Sequence, residues 1–235
     1  MADSKFDTLF AAGRAALLDG SHQVQFPPDE GDLRWGASVI LRPDPRAVRA
    51  IEDAAREAAA VVGPAHWLPG AAATSHLTVR ARLEPYRAVI PPGDEMVARY
   101  AAALDKAVCG SLGPAGPAPI RFALTGLTLT PISVMACAAP AGPEADDLAA
   151  AFAAELRAAG LPGIGRPGDI WYVNLVYFAG RVPDPGVLVD WVAARRSAAI
   201  TEVRVAEIQL TRWRFTGSGM APEPMVSIPV PPALG

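Results

Sequence analysis

Apolar positions along this chain follow two rhythms, one helical and one alternating, and the rhythm changes at nearly every proline or glycine cluster. Helical spacing comes first, over residues 3–20, where Phe6, Leu9, Phe10 and Leu17 are the apolar positions and Gly20 is a stop. A polar, proline-containing loop runs to about Asp32. Trp35 to Leu41 reads as a strand, with Trp35 at its start more often a core residue than a site residue. Asp44-Pro45 then supplies an N-cap and a first-turn proline. The helix predicted over 45–62 carries Val48, Ile51, Ala55, Ala58 and Val62 on one stripe and ends before Gly63-Pro64. A loop from His66 to Thr74 leads into a strand over 75–82. The turn Pro91-Pro92-Gly93 opens a helix over 93–109.

The second half repeats this style of organisation. Gly113 to Pro119 reads as a linker of Gly, Pro and Ala. Ile120 to Thr130 and Ile132 to Ala138 read as two strands broken at Pro131, which cannot donate to a ladder. A helix over 144–159 carries Leu148, Phe152 and Leu156 four residues apart. Pro162 to Gly168 is a turn-rich link, Ile170 to Phe178 a β-prone run, and Asp184-Pro185 the start of a helix over 185–196. Ile200 to Phe215 reads as one long strand with a bend. Strands and helices interleave, but the two adjacent strands after the linker break a purely parallel pattern, so the expected class is α+β with two similar halves. The expected units are an N-terminal helix and loop over 1–33, a main domain over 34–216 and a proline-rich, extended tail over 217–235.

Composition narrows the possibilities. At 51% hydrophobic and 19% charged residues, the chain is globular rather than disordered. A net charge of −3 argues against extended nucleic-acid binding, which needs a basic face, but leaves room for a local arginine cluster that holds one small anion. Cys109 and Cys137 have no metal-ligand spacing and read as free thiols packed as small hydrophobes. The opening MADSKFDTLF lacks the basic and apolar regions of a secretory signal, and no apolar run approaches the roughly 20 residues that span a bilayer. A reduced cytoplasmic setting without membrane attachment is therefore expected.

Chemistry concentrates in one strand. Alternation over 75–82 puts His76, Thr78, Arg80 and Arg82 on one face and Leu77, Val79 and Ala81 on the other. Imidazole, hydroxyl and guanidinium in succession suit the wall of an anion-binding groove, in which His76 moves a proton, Thr78 donates a hydrogen bond and Arg80 neutralises charge. The same face also fits a solvated sheet surface with a structural histidine.

The segment Ser75-His76-Leu77-Thr78-Val79 resembles the H-x-[ST]-hydrophobic motif of the 2H phosphoesterase superfamily, which includes the 2′-5′ RNA ligase-like and cyclic phosphodiesterase proteins. Its surroundings strengthen the resemblance. Ile120 to Pro131 and Ile132 to Ala136 resemble the family's middle hairpin, and Trp171 to Phe178 falls where the second H-x-[ST] strand belongs. The likeness spans roughly residues 34–215. It implies a two-lobed α+β fold with antiparallel sheets lining a central groove and helices outside. It also implies two histidines facing each other, one acting as base on a hydroxyl or water and one as acid on the leaving oxygen, with two hydroxyl residues holding the phosphate. This chain departs from that pattern at Asn174, where the second histidine belongs, and at Val176, where the hydroxyl belongs. Asparagine can only hydrogen-bond. Loss of one partner from an acid–base pair costs on the order of 10²–10⁴ in rate.

The expected site therefore pairs His76 and Thr78, as catalytic residues, and Arg80 with Tyr172, Asn174 and Val176 across the groove. Tyr86 is a candidate for the groove mouth. Arg212 and Arg214 share a face with Trp213 opposite, and either arginine could bind an anion or simply be solvated. His66, beside Trp67, is either a replacement proton donor or a loop histidine, and His22 has no assigned role. No metal or cofactor is expected, because three histidines without nearby paired carboxylates make no ligand set and no phosphate- or dinucleotide-binding glycine loop occurs. Three readings follow. The first is an enzyme that uses His76 as its lone general acid/base on a small organic or phosphorylated substrate, in a cyclisation, elimination or isomerisation. The second is a non-catalytic small-molecule or nucleotide-binding module. The third is a residual 2′,3′-cyclic nucleotide phosphodiesterase.

Overall fold

A computed structural model describes residues 5–112, 119–161 and 170–230. The expected linker at 113–119, apart from Pro119, and the link at 162–168 lie outside the described residues. The described elements run α1 (Lys5–Leu18), β1 (Ser38–Pro43), α2 (Pro45–Val62), β2 (Leu77–Arg80), α3 (Glu95–Leu112), β3 (Arg121–Thr130), β4 (Ser133–Pro140), α4 (Glu144–Ala158), β5 (Trp171–Tyr177), α5 (Pro185–Ala193), β6 (Ala199–Phe215) and β7 (Met220–Pro229). A short 3₁₀ turn, Leu33–Trp35, precedes β1.

Local chemistry explains α2. The Asp44 carboxylate accepts from the backbone N–H groups of Arg46 and Ala47 at 2.9 and 3.1 Å, satisfying donors that an α-helix leaves open at its start. Its other oxygen accepts from the Arg204 N–H at 2.9 Å, which fastens the start of α2 to β6. Ala47, Ile51, Ala55, Ala58 and Val62 form the buried stripe, and Gly63 closes the helix in the left-handed region with φ 100°.

Every strand pairing is antiparallel, and the sheet runs β2-β1-β6-β3-β4-β5. β6 is the shared spine. Its first third, through Arg204, pairs with β3, and its remainder pairs with β1 on one side and β7 on the other. The sheet is curled into a half-barrel, so its two ends, β2 and β5, approach each other. An isolated bridge between Trp67 and Tyr177 adds to this closure, with reciprocal backbone bonds of 3.1 and 2.9 Å. The result is an α+β fold.

One face of the sheet carries Val39, Leu41, Leu77, Leu124, Val173, Leu175, Ile208 and Leu210 into a single apolar core against the helices. The other face carries Ser38, Thr78, Tyr172, Asn174 and Trp213 toward a cavity. The stretch expected as an extended tail forms β7 over Met220–Pro229. Pro222, Pro224 and Pro229 are tolerated there because β7 pairs only with β6, and an edge strand can spare ladder donors.

Candidate functional site

The cavity between the sheet ends has a volume of about 350 Å³ and is lined by both His76 and Asn174. The backbone ahead of β2 fixes His76. Arg42 of β1 reaches into the preceding loop and donates to the carbonyls of Ser75 and Ala72. Gly70 lets that loop pass between α2 and β5. A Cβ on Gly70 would lie 2.7 Å from the Ala55 Cβ and 3.1 Å from the Leu175 Cα. The His76 Nδ1–H donates to the Thr74 carbonyl at 2.7 Å, so in the neutral ring Nε2 carries the lone pair. Trp213 packs against the imidazole with centroids 4.9 Å apart and donates from its indole Nε1–H to the Ser38 hydroxyl at 3.3 Å. Burial holds the His76 pKa down to about 4 from an ordinary 6.5, opposed by the Thr74 hydrogen bond and helped by the nearby Arg42 guanidinium.

The opposite wall differs from simple alternation by one residue. In the β4–β5 pairing Val134 meets Val176 and Met135 meets Asn174, so Leu175 is an inserted, unpaired residue. Leu175 and Val176 both turn into the apolar core, and both are fully buried. Tyr177 takes the cavity position that alternation assigns to Val176. The Asn174 amide donates to the Tyr177 hydroxyl oxygen at 2.7 Å, and its Oδ1 is buried without a hydrogen-bond partner among the described residues. Tyr172 lines the cavity as expected. Burial raises the pKa of both tyrosines above the ordinary phenol value, which makes them poor acids.

A similar insertion moves Arg80. Val39 meets Arg80 and Ile40 meets Thr78, leaving Val79 unpaired in β2. Val79 enters the core and Arg80 leaves the cavity wall for the neighbourhood of Arg157 on α4. Thr78 stays in the cavity, and Arg82 joins it beyond the end of the strand.

Three further groups of candidates lie away from the cavity. Tyr86 is core. Its N–H donates to the Asp32 carbonyl at 2.7 Å and its carbonyl accepts from Gly31 at 2.9 Å, which ties two loops together. Arg212 faces away from the cavity, pairs with Glu223 of β7 at 3.5 Å and donates to the Ala88 carbonyl. Arg214 pairs with the same carboxylate at 2.7 Å. Neither arginine lines the cavity, because β7 supplies their anion. His66 lies outside the cavity too, where its Nδ1 accepts from the Ala179 N–H at 3.1 Å and its ring packs near Phe178.

The sequence missed an aromatic lining and Arg34, whereas Arg82 borders the cavity as alternation placed it. Trp35, Trp67, Tyr177 and Trp213 all border the cavity. Trp35 lies 5.2 Å from Trp67 and 5.8 Å from Tyr177 by ring centroids, a contiguous aromatic wall. Arg34 and Arg82 are the charged residues among the described lining. Arg34 is neutralised by Asp32 at the 3₁₀ turn through three bonds of 3.1, 3.0 and 2.5 Å. No group of three or more His, Cys, Asp and Glu side chains able to hold a metal occurs among the described residues, and no described helix is long and apolar enough to cross a membrane.

No protein-family model matches this chain, and no curated protein matches it by sequence. Solved structures do match its fold. The Thermus thermophilus protein TT0787 is 17% identical with a TM-score of 0.57, covering 83% of this chain and 97% of its own. A protein described as a phosphoesterase is 14% identical with a TM-score of 0.54, covering 85% and 99%. Escherichia coli LigT complexed with phosphate is 13% identical with a TM-score of 0.53, covering 84% and 98%. At such identities the likeness is one of fold.

Proposed function

We propose, from the premise that this chain carries the 2H phosphoesterase fold, that it is an enzyme in which His76 works alone as general base on a small organic or phosphorylated substrate. One observation carries the reading: His76, with its Nε2 lone pair unspent, lines the same cavity as Asn174. The Nδ1–H bond to Thr74 fixes the tautomer, and a pKa near 4 keeps the ring neutral at physiological pH. A neutral, oriented imidazole is ready to accept a proton, although at that pKa it is a weak base.

The second wall supports a single-base reaction over two-histidine phosphodiester cleavage. Asn174 has no titratable proton to give, and the tyrosines are pushed away from acidity. Thr78 and Asn174 are suited to hold a polar group while His76 removes a proton, as in a cyclisation, elimination or isomerisation. The aromatic wall supports a substrate with a sizeable organic body.

The test is a comparison of the protein with His76→Gln against aryl phosphates, nucleotides, 2′,3′-cyclic nucleotides and small aromatic acids, with products followed by ³¹P and ¹H NMR. Turnover that falls on the order of 10²-fold or more in the variant supports the reading. Turnover that is equal in both proteins overturns it. Binding without any product in the wild type favours a recognition module.

A further inference from the structure

The chain as a whole is acidic, with a net charge of −3, yet the described residues lining the His76 cavity include two guanidiniums and no carboxylate. The two arginines differ. Arg34 is already paired with Asp32. Arg82 has no ion-pair partner among the described residues and is exposed at the cavity rim. Its backbone sits in the left-handed region with φ 57°, which a side chain with a Cβ adopts only at a cost. That conformation directs the chain away from β2 just where the bulge at Val79 has removed Arg80 from the wall. The fold thus withdraws one arginine from the cavity and presents another on strained backbone beside the aromatic wall, in no ion pair although the Asp32 carboxylate feels its charge.

We infer that Arg82 anchors an anionic group, a carboxylate or a phosphate, on a substrate whose flat aromatic body packs against Trp35 and Trp67. A planar guanidinium with its donors unspent binds such oxyanions through paired hydrogen bonds. Tyr172 and Tyr177 lie near enough to feel the Arg82 charge, and all three residues line the same cavity. The anion is then a handle for orientation, separate from the atom at which His76 acts. This inference rests on the reading of the cavity as the substrate site.

The experiment is calorimetric titration of the full chain with matched pairs: 2-naphthoate and 2-naphthamide, indole-3-carboxylate and its amide, phenyl phosphate and phenol. Acids are expected to bind about tenfold or more tightly than their neutral partners. The carboxylate and phosphate pairs tell the two anions apart. Arg82→Asn abolishes the preference, since asparagine tolerates the left-handed backbone but carries neither the charge nor the guanidinium donors. Arg82→Lys retains part of it. Equal binding of acids and neutral partners, a preference that survives Arg82→Asn, or no binding of any acid overturns the inference. His76→Gln separates the two proposals. It is expected to keep the acid preference, and a preference that persists alongside unchanged turnover leaves the anion anchor standing while the base role falls.

Discussion

His76, just ahead of β2, and Asn174, on β5, come from opposite ends of the curled sheet and border one cavity of about 350 Å³. The hydroxyl that accepts from the Asn174 amide belongs to Tyr177, placed there by the inserted Leu175. The insertion makes opposite predictions for neighbouring residues. Val176→Thr puts a hydroxyl into the apolar core and should destabilise the fold by about 1–3 kcal/mol while leaving ligand binding unchanged. Tyr177→Phe should cost about 1 kcal/mol or less of stability and weaken binding, because both ends of the Asn174 amide then lack partners. Denaturant unfolding and calorimetric titration of the two variants check the pair.

The depressed pKa of His76 has a consequence for stability. The folded state holds this imidazole neutral down to about 4, whereas the unfolded chain takes up its proton near 6.5. As pH falls through that window the unfolded state binds the proton first, so stability is full above the unfolded value and declines until the folded value is reached. The loss attributable to His76 is at most about 3 kcal/mol. His66, also lowered by burial, adds to the same slope. Urea midpoints at pH 7, 5.5 and 4.5 should drop in the wild type and drop less in His76→Gln.

Trp213 shields the His76 ring from water. Trp213→Ala should cost about 3–5 kcal/mol as a large-to-small change and let the His76 pKa rise toward its ordinary value. Trp213→Phe keeps an aromatic face and should move the pKa less. Histidine-resolved NMR titration of both variants reads the effect.

Gly70 sets how closely the His76 loop approaches α2. Gly70→Ala brings a methyl within 2.7 Å of the Ala55 Cβ and should destabilise by about 1–3 kcal/mol. Adding Ala55→Gly should recover part of that loss, a coupling that a double-mutant cycle measures.

Asp44-Pro45 announces α2 in the sequence because capping chemistry is local, and the alternating run at 75–82 and the β-prone run at 170–178 announce the two strands at which His76 and Asn174 lie. What the pattern does not carry is parity. Val79 and Leu175 are ordinary strand residues, and nothing in their side chains marks an inserted position, yet each moves its successor from the cavity to the other face. Strict alternation therefore assigns Arg80 and Val176 to a wall they do not reach. Arg212 and Arg214 look like candidate anion binders for a related reason. Three prolines hide β7, and Glu223 on that strand is the anion the arginines hold. With those arginines on the outer face, Trp213 between them necessarily faces inward, a signal in the sequence that points to it.

The central claim is a neutral His76 with its proton on Nδ1 and its lone pair free at Nε2, and ¹⁵N NMR of the histidine rings across pH 3.5–8 tests it without knowledge of the substrate. The Nδ1–H tautomer is expected at pH 7, with a midpoint near 4 that disappears from the spectrum of His76→Gln. A His76 midpoint at or above 6.5, or a ring protonated on Nε2 at pH 7, would contradict it.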